Sequence, residues 1–203
     1  MAIRSLSNSS IATGQKRSKF WDQSTQLITY GTEWIATATG NPTGTVTVSN
    51  IPTTYDYLEI RATLHSDAGS DMRIIVNGDS GNSYTFHQMY MVNSNGTLTG
   101  STPNGPTLNQ DWNPANIVSS ALDANLMCTV VMQISNSAGK WKTYQARSAW
   151  CNAVGQTPMD GYYIIRSGQW QNTDKITSLT FGSNSGDFGL TSISKIDIYG
   201  VKI

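Results

Sequence analysis

The chain has 203 residues, equal numbers of acidic and basic side chains, and 13% charged residues, against roughly 25% in ordinary soluble domains. This length suits a single all-β domain, and the absent net charge argues against a nucleic-acid reader, which would carry a basic stripe. No apolar run reaches the roughly 18 residues of a membrane span, and the first residues lack the apolar region of a signal peptide, so we expect no membrane partner and synthesis in the cytoplasm.

The first part of the chain shows neither helical nor alternating periodicity. We predict an extended arm over residues 1–26, followed by one β-sandwich domain over residues 27–203. The first 20 residues contain four bases and no acid, whereas the remainder has nine bases and 13 acids. Two interpretations stay open, a docking arm that pairs with acids of a partner and a solvated terminus. The candidate docking residues are Arg4, Lys16, Arg17, Lys19, Phe20 and Trp21.

Short segments with alternating or β-rich composition, separated by turn residues, predict ten strands. They cover residues 33–37, 44–48, 58–65, 72–76, 84–90, 126–135, 141–151, 161–165, 176–181 and 193–201. Asn77 and Gly78 tolerate positive φ and predict a turn after the fourth strand. We expect the third, fourth and fifth strands to form an antiparallel meander, and residues 168–170 to interrupt the sheet after the eighth.

The segments on either side of residues 137–140 predict a hairpin. Aligning their apolar residues places Trp150 opposite Cys128 and turns Cys151 to the other face, because one residue along a strand reverses the side chain. We therefore expect two free thiols. Residues 93–114 form the longest segment without a strand pattern, and Trp112 within it can either anchor a ligand or cover the core. Short strands without helices indicate an all-β, antiparallel two-sheet β-sandwich of jelly-roll-like type.

Candidate catalytic and metal-binding residues are few. His65 and His87 are expected on outer strand faces, without the Cys/His spacing of a zinc site or the partners of a catalytic triad. Asp67, Asp71 and Asp79 occur in neighbouring turns, where they either gather around calcium or cap their own backbone; the second is favoured. We predict no catalytic residues, no resident metal and no cofactor.

Aromatic residues offer one further kind of site. Rings in a β-sandwich either stack against sugars or fill the core, and the sequence leaves both interpretations open. The candidate contacts for a glycan or a partner are Tyr84, Tyr90, Trp112 and Trp170, with Tyr162 as a further aromatic.

Several sequence segments in this order are similar to those of one family. They are residues 1–7, 10–18, 51–60, 76–79, 82–84, 168–173, 176–179 and 198–201. Taken together they resemble virion structural proteins of tailed bacteriophages, cyanophage-like examples among them. The resemblance covers most of the chain except residues 93–114, and its motifs are structural rather than catalytic.

The resemblance implies a non-enzymatic component of the virion, with a β-sandwich held on other capsid or tail subunits in symmetric copies, a trimer among the options. We expect a capsid decoration or cement protein that docks on neighbouring subunits through its N-terminal arm. The alternative is a tail, baseplate or fibre module that binds host-surface glycan through exposed aromatic residues. The sequence leaves open whether the location is head, neck or tail.

Overall fold

The computed structural model describes residues 31–41, 44–66, 70–92, 111–117, 126–151, 161–183 and 190–202. These residues form eleven strands, and none of them is helical. The strands are β1 (Gly31–Thr39), β2 (Val46–Val48), β3 (Tyr57–Leu64), β4 (Ser70–Val76), β5 (Tyr84–Val92), β6 (Asn116–Ile117), β7 (Cys128–Ser135), β8 (Lys142–Cys151), β9 (Gly161–Trp170), β10 (Leu179–Ser183) and β11 (Lys195–Lys202). The arm predicted over residues 1–26, with its six candidate docking residues, lies outside the described residues.

The strands form two antiparallel sheets, which confirms the all-β, two-sheet prediction. One sheet has seven strands in the order β1-β11-β3-β7-β8-β9-β5, and the other has four in the order β2-β10-β4-β6. From β1 to β7 each successive strand lies in the opposite sheet. Consecutive strands are therefore mostly partners across the core rather than neighbours in a sheet.

The predicted meander of β3, β4 and β5 is wrong. β3 pairs with β11 and β7, β4 pairs with β10 and β6 in the other sheet, and β5 pairs with β9. The turn itself forms as expected: Asn77 and Gly78 have φ values of 52° and 71°, and the amide of Asp79 donates to the carbonyl of Val76 at 2.9 Å. Residues 80–83 then carry the chain to the opposite sheet, so local turn chemistry did not specify strand pairing.

The core lies between the inner faces of the two sheets. The alternation predicted for the third strand is confirmed, because Leu58, Ile60, Ala62 and Leu64 are all buried. Each fully buried Leu or Ile contributes roughly 1.5–3 kcal/mol to stability. Four aromatic rings pack at the centre of this core: the ring centroids are 6.4 Å apart for Tyr84 and Trp170, 5.9 Å for Tyr84 and Trp112, and 5.0 Å for Trp112 and Tyr144.

The predicted register of the hairpin between β7 and β8 is confirmed. Thr129 lies opposite Ala149 and Ile134 opposite Tyr144, so apolar residues of both strands share the inner face. Cys128 is buried and Cys151 is exposed, and both thiols are free, as the register requires. Burial raises the pKa of the Cys128 thiol to about 12, which keeps it protonated and unreactive.

The predicted interruption at residues 168–170 is also wrong, because β9 runs through Gly168 to Trp170 without a break. Gly168 lies where strand β5 and the ring of Tyr144 approach the backbone closely. A Cβ atom there would collide with the carbonyl oxygen of Thr85 and lie 2.6 Å from Cε1 of Tyr144. Glycine at this position allows the close approach and does not end the strand.

Replacing Gly168 with alanine should lower the free energy of unfolding by about 1–3 kcal/mol, because backbone and a core ring must move to admit one methyl group. Gly161→Ala on the same strand is the matched control, since its new Cβ would have its nearest neighbour at 3.4 Å. Urea unfolding of both variants measures the difference. Equal stabilities for the two variants would contradict the tight packing at Gly168.

Candidate functional site

A cleft opens between one edge of each sheet and is the best-formed candidate site among the described residues. It has a volume of about 360 Å³. Strands β5 and β9 of the seven-stranded sheet form one wall, while β4, β6 and the segment before β6 form the other. The lining residues are Asp71, Phe86, Gln88, Tyr90, Asn113, Asn116, Tyr162, Ile164 and Arg166.

Arg166 organises the polar side of the cleft. It projects from the inner face of β9 and is only 3% exposed. Its Nε donates to Oε1 of Gln88 at 3.0 Å, and its two terminal nitrogens donate to Oδ1 of Asn113 and Oδ1 of Asn116. Both terminal nitrogens also lie 3.4 Å from Oδ1 of Asp71, which balances the positive charge. A buried guanidinium is stable only with such complete pairing.

These bonds orient the three amide side chains. In each of Gln88, Asn113 and Asn116, the oxygen faces the guanidinium, because Arg166 has only donors. The amide nitrogen is therefore the polar atom that Arg166 does not use. The three amides line the cleft beside the carboxylate of Asp71, whose side chain is 33% exposed.

Aromatic rings form the other side of the cleft. Phe86 and Tyr90 extend from β5 and Tyr162 from β9, all toward the inner face. Tyr90 lies opposite Ile164, so Tyr90 and Tyr162 are diagonal neighbours across the two strands. Trp150 of β8 stacks on Tyr162 with ring centroids 4.8 Å apart and planes 25° apart, which supports the Tyr162 ring from behind.

The structure separates the four aromatic candidates into two groups. Tyr84, Trp112 and Trp170 are fully buried, so their assignment as exposed contacts for a glycan or partner is corrected: they fill the core. The Tyr84 hydroxyl accepts from the amide of Val76 at 3.0 Å and donates to the carbonyl of Asp79 at 2.7 Å. Tyr90 alone of the four is partly exposed and lines the cleft.

Trp112 is buried because its backbone joins the four-stranded sheet. Its amide and carbonyl exchange two hydrogen bonds with Ile74, each 2.9 Å long. Trp112, in the segment predicted to lack a strand pattern, therefore pairs with β4, and β6 begins at Asn116. Residues 93–110 lie outside the described residues.

The two histidines have different environments. His87 is exposed on the outer face of β5, as predicted. The prediction for His65 is wrong, because this residue is 4% exposed, with Nδ1 3.1 Å from Oγ1 of Thr191 and its backbone amide bonded to Oγ of Ser194 at 2.9 Å. Strand β3 ends at Leu64, so the alternation that would have placed His65 outside no longer applies.

The aspartates serve as backbone caps and ion-pair partners. Asp79 accepts a hydrogen bond from the Gly81 amide at 2.9 Å through Oδ1 and from Nε1 of Trp170 at 2.7 Å through Oδ2, as favoured for a turn residue. Asp71 pairs with Arg166, and Asp67 lies outside the described residues. Within the described ranges, no group of three or more His, Cys, Asp or Glu residues could hold a metal ion.

Sequence reasoning missed Gln88, Asn113, Asn116 and Arg166 as members of a site. One signal was present: along β9, Ile164, Arg166, Gly168 and Trp170 occupy the same phase, so an arginine stands in an inward-facing series. A charged residue at such a position requires buried partners. The partners themselves come from residues 71, 88, 113 and 116, which no local pattern brings together.

Comparison with known proteins finds no family model that matches the chain, no matching curated protein and no matching solved structure. The resemblance to phage virion proteins and the functions that it implies therefore stay predictions. Among the described residues there is no helix long and apolar enough to cross a membrane.

Replacing Arg166 with methionine should lower the free energy of unfolding by roughly 3–5 kcal/mol, because it leaves three amide oxygens and a carboxylate without their buried donor. Arg147→Met is the matched control: Arg147 lies on the adjacent strand β8 and is exposed on the outer face, so a change within about 0.5 kcal/mol is expected. Chemical unfolding followed by tryptophan fluorescence distinguishes them. A similar small loss in both variants would contradict the central role of Arg166.

The hydrogen bond from Trp170 is the main cause that lowers the pKa of Asp79 below its ordinary value of 3.8. A carboxyl with a lowered folded-state pKa stabilises the fold above the ordinary value, and this contribution disappears as the pH falls through the folded-state pKa. Asp79→Asn should therefore be less stable than the wild type at pH 7, with the difference shrinking on acidification below about pH 4.

Thermal melting across this pH range tests the prediction. As a control, Asp174→Asn removes the carboxylate of an exposed residue. Burial raises the pKa of Asp111, an effect of opposite sign, but Asp111 is present in every protein compared and cancels in the difference. A constant gap between wild type and Asp79→Asn would contradict the assigned charge interaction.

Proposed function

We propose that the protein is a non-enzymatic structural component of a phage virion, acting as a capsid decoration or cement protein that docks on neighbouring subunits. The observation that best supports this proposal is the outer face of the seven-stranded sheet. Seven adjacent strands give it the breadth of a protein-contact surface. Many symmetric copies of the protein on one particle would make the overall attachment stronger than a single contact could.

The outer face carries large apolar side chains in solvent. Met89 and Met91 of β5 are 56% and 44% exposed, and Tyr163 of β9 lies directly opposite Met91. Two residues along these strands is another row of cross-strand partners on the same face. Met89 of β5 lies opposite Ile165 of β9, Ile165 opposite Arg147 of β8, and Arg147 opposite Val131 of β7. Exposed apolar groups that lie side by side are typical of interaction surfaces, whereas scattered ones need no explanation.

The strand order supports the finer prediction of a jelly roll. Without β8, β9 and β5, two four-stranded sheets remain, β1-β11-β3-β7 and β2-β10-β4-β6, and the chain alternates between them except from β4 to β6, which pair in the same sheet. Eight strands in two such sheets are the jelly-roll arrangement, which is common in viral capsid and lectin domains. We infer a jelly roll whose larger sheet is extended by three strands, two of which, β5 and β9, also form one wall of the cleft.

The N-terminal segment supplies the proposed anchor. Its basic residues, Arg4, Lys16, Arg17 and Lys19, precede Phe20 and Trp21 and would pair with acids in a groove of the neighbouring subunit. An arm that becomes ordered on binding adds contact area at an entropic cost, which repeated copies on a particle can offset.

The second candidate is a tail, baseplate or fibre module that contacts host glycan. The position of Tyr90 and Tyr162 in an open cleft favours it, whereas Tyr84, Trp112 and Trp170 cannot take part because they are buried.

Deleting residues 1–21 should leave a body with an unchanged melting temperature that no longer associates with virus particles in co-sedimentation. The finer test is Lys16→Gln with Lys19→Gln, which should weaken association and reduce its salt dependence. The matched control is Lys140→Gln with Lys195→Gln, which removes two exposed charges from the body. Full incorporation of the deletion variant into particles would overturn the docking role of the arm.

A further inference from the structure

We propose that the cleft between the sheet edges is a carbohydrate-binding site that accepts one or two rings of a neutral sugar. The aromatic residues Tyr90 and Tyr162 contact the apolar face of the ring. The amide nitrogens of Gln88, Asn113 and Asn116 and the carboxylate of Asp71 bind its hydroxyl groups. The size, the two-sided chemistry and the charge of the cleft all fit such a ligand.

The size of the cleft fits a small polar molecule. Its volume of about 360 Å³ lies at the lower end of the roughly 300–1,000 Å³ typical of small-molecule sites. Its walls come from two different sheets, so the cleft is a gap between rigid elements. Sites on such elements hold a ligand more precisely than sites on loops.

The two sides of the cleft match the two sides of a sugar ring. A pyranose has an apolar patch of C–H groups on one face and hydroxyl groups around its rim. Tyr90 and Tyr162 supply the flat apolar surface, and Trp150, stacked behind Tyr162 at 4.8 Å, holds that ring in place. An entirely apolar ligand would instead strip water from three amides and a carboxylate without replacing their hydrogen bonds, which is unfavourable.

Arg166 prepares the polar side for hydroxyl groups. Because it holds the oxygen of each amide, the three side chains cannot flip, and each offers its nitrogen as a fixed donor. Asp71 adds an acceptor, so donors and acceptors stand close together. A hydroxyl group both donates and accepts, and a pair of neighbouring hydroxyls on a sugar can use both kinds of partner at once.

The charge of the cleft selects neutral sugars. Among the described residues that line the cleft, the charged ones are Arg166 and Asp71, and they pair with each other. The guanidinium is 3% exposed and engaged on all three nitrogens, so it offers no donor to a phosphate or carboxylate. The Asp71 side chain is 33% exposed and would repel an anion.

This site rests on the second candidate function, a module that contacts glycan, and does not depend on the proposed role in the capsid. Docking on neighbouring subunits uses the arm and the outer face, whereas the cleft faces the gap between the sheets. The two proposals can therefore fail independently. Particle association reports on the first, and sugar binding by the isolated full-length protein reports on the second.

Saturation-transfer NMR on the full chain tests the site with glucose, galactose, N-acetylglucosamine and glucuronic acid as probes. We expect at least one neutral sugar to bind, and glucuronic acid to bind more weakly than glucose. Tyr90→Ala and Tyr162→Ala should each weaken binding by about tenfold, because each removes a ring that covers the apolar face. Melting curves establish that each variant is folded.

Tyr163→Ala is the matched control, since Tyr163 follows Tyr162 on the same strand but is 39% exposed on the opposite face. Its binding should equal that of the wild type. The β-1,4-linked dimer of N-acetylglucosamine shows how many rings the site holds. Equal affinity for monomer and dimer indicates a site for a single ring, whereas tighter binding of the dimer indicates a site for a glycan chain. Both results support the proposal. Absence of binding by every probe, or equal binding by all folded variants, would overturn it.

Discussion

The buried guanidinium of Arg166 lies between the edges of the two sheets and determines how this end of the sandwich packs. Arg166 can stay buried only if partners surround it, and those partners come from both sheets: Gln88 from β5, Asp71 from β4 and Asn116 from β6. The bonds hold the edges at a fixed separation, so the gap between them stays polar and open instead of closing on apolar side chains. The same bonds orient the amides that line the cleft. Packing and recognition therefore depend on one side chain.

Hydrogen bonds of buried and half-buried polar side chains also hold the loops of the structure in place. Asn136 is fully buried, its Oδ1 accepts from the Ile176 amide at 2.8 Å, and its backbone amide donates to the Asp56 carbonyl at 2.7 Å. Lys142 is fully buried, donates to the carbonyls of Lys140 and Thr173, and has its pKa lowered by that burial. Asn77 similarly accepts from the amides of Thr177 and Ser178. The apolar middle gives stability, while these amides and ammonium groups specify which loops meet.

Local patterns predicted the local features. Alternation located most of the strands, though not β6 or the second half of β9. The apolar alignment gave the register of β7 with β8, and Asn77 and Gly78 marked a turn. The sequence did not predict which strands pair, because a strand with one apolar face can bury it from either sheet. His65 and Gly168 were misassigned because tertiary contacts with Thr191 and Tyr144 decide their environments. The cleft was not predicted since its residues are distant in sequence; an inward-facing arginine was its only local signal.

The pairing of β1 with β11, the first and last described strands along the chain, has a consequence for synthesis. β11 is the last described strand along the chain, yet it lies inside the larger sheet, between β1 and β3. Gly31 and Lys202 are direct partners, so β1 has no neighbour in its own sheet until β11 has left the ribosome. Strand β1 therefore stays without a partner in its sheet while the strands from β2 to β10 are synthesised. Closing so long a loop is slow, and a strand that waits is exposed to pairing with other chains.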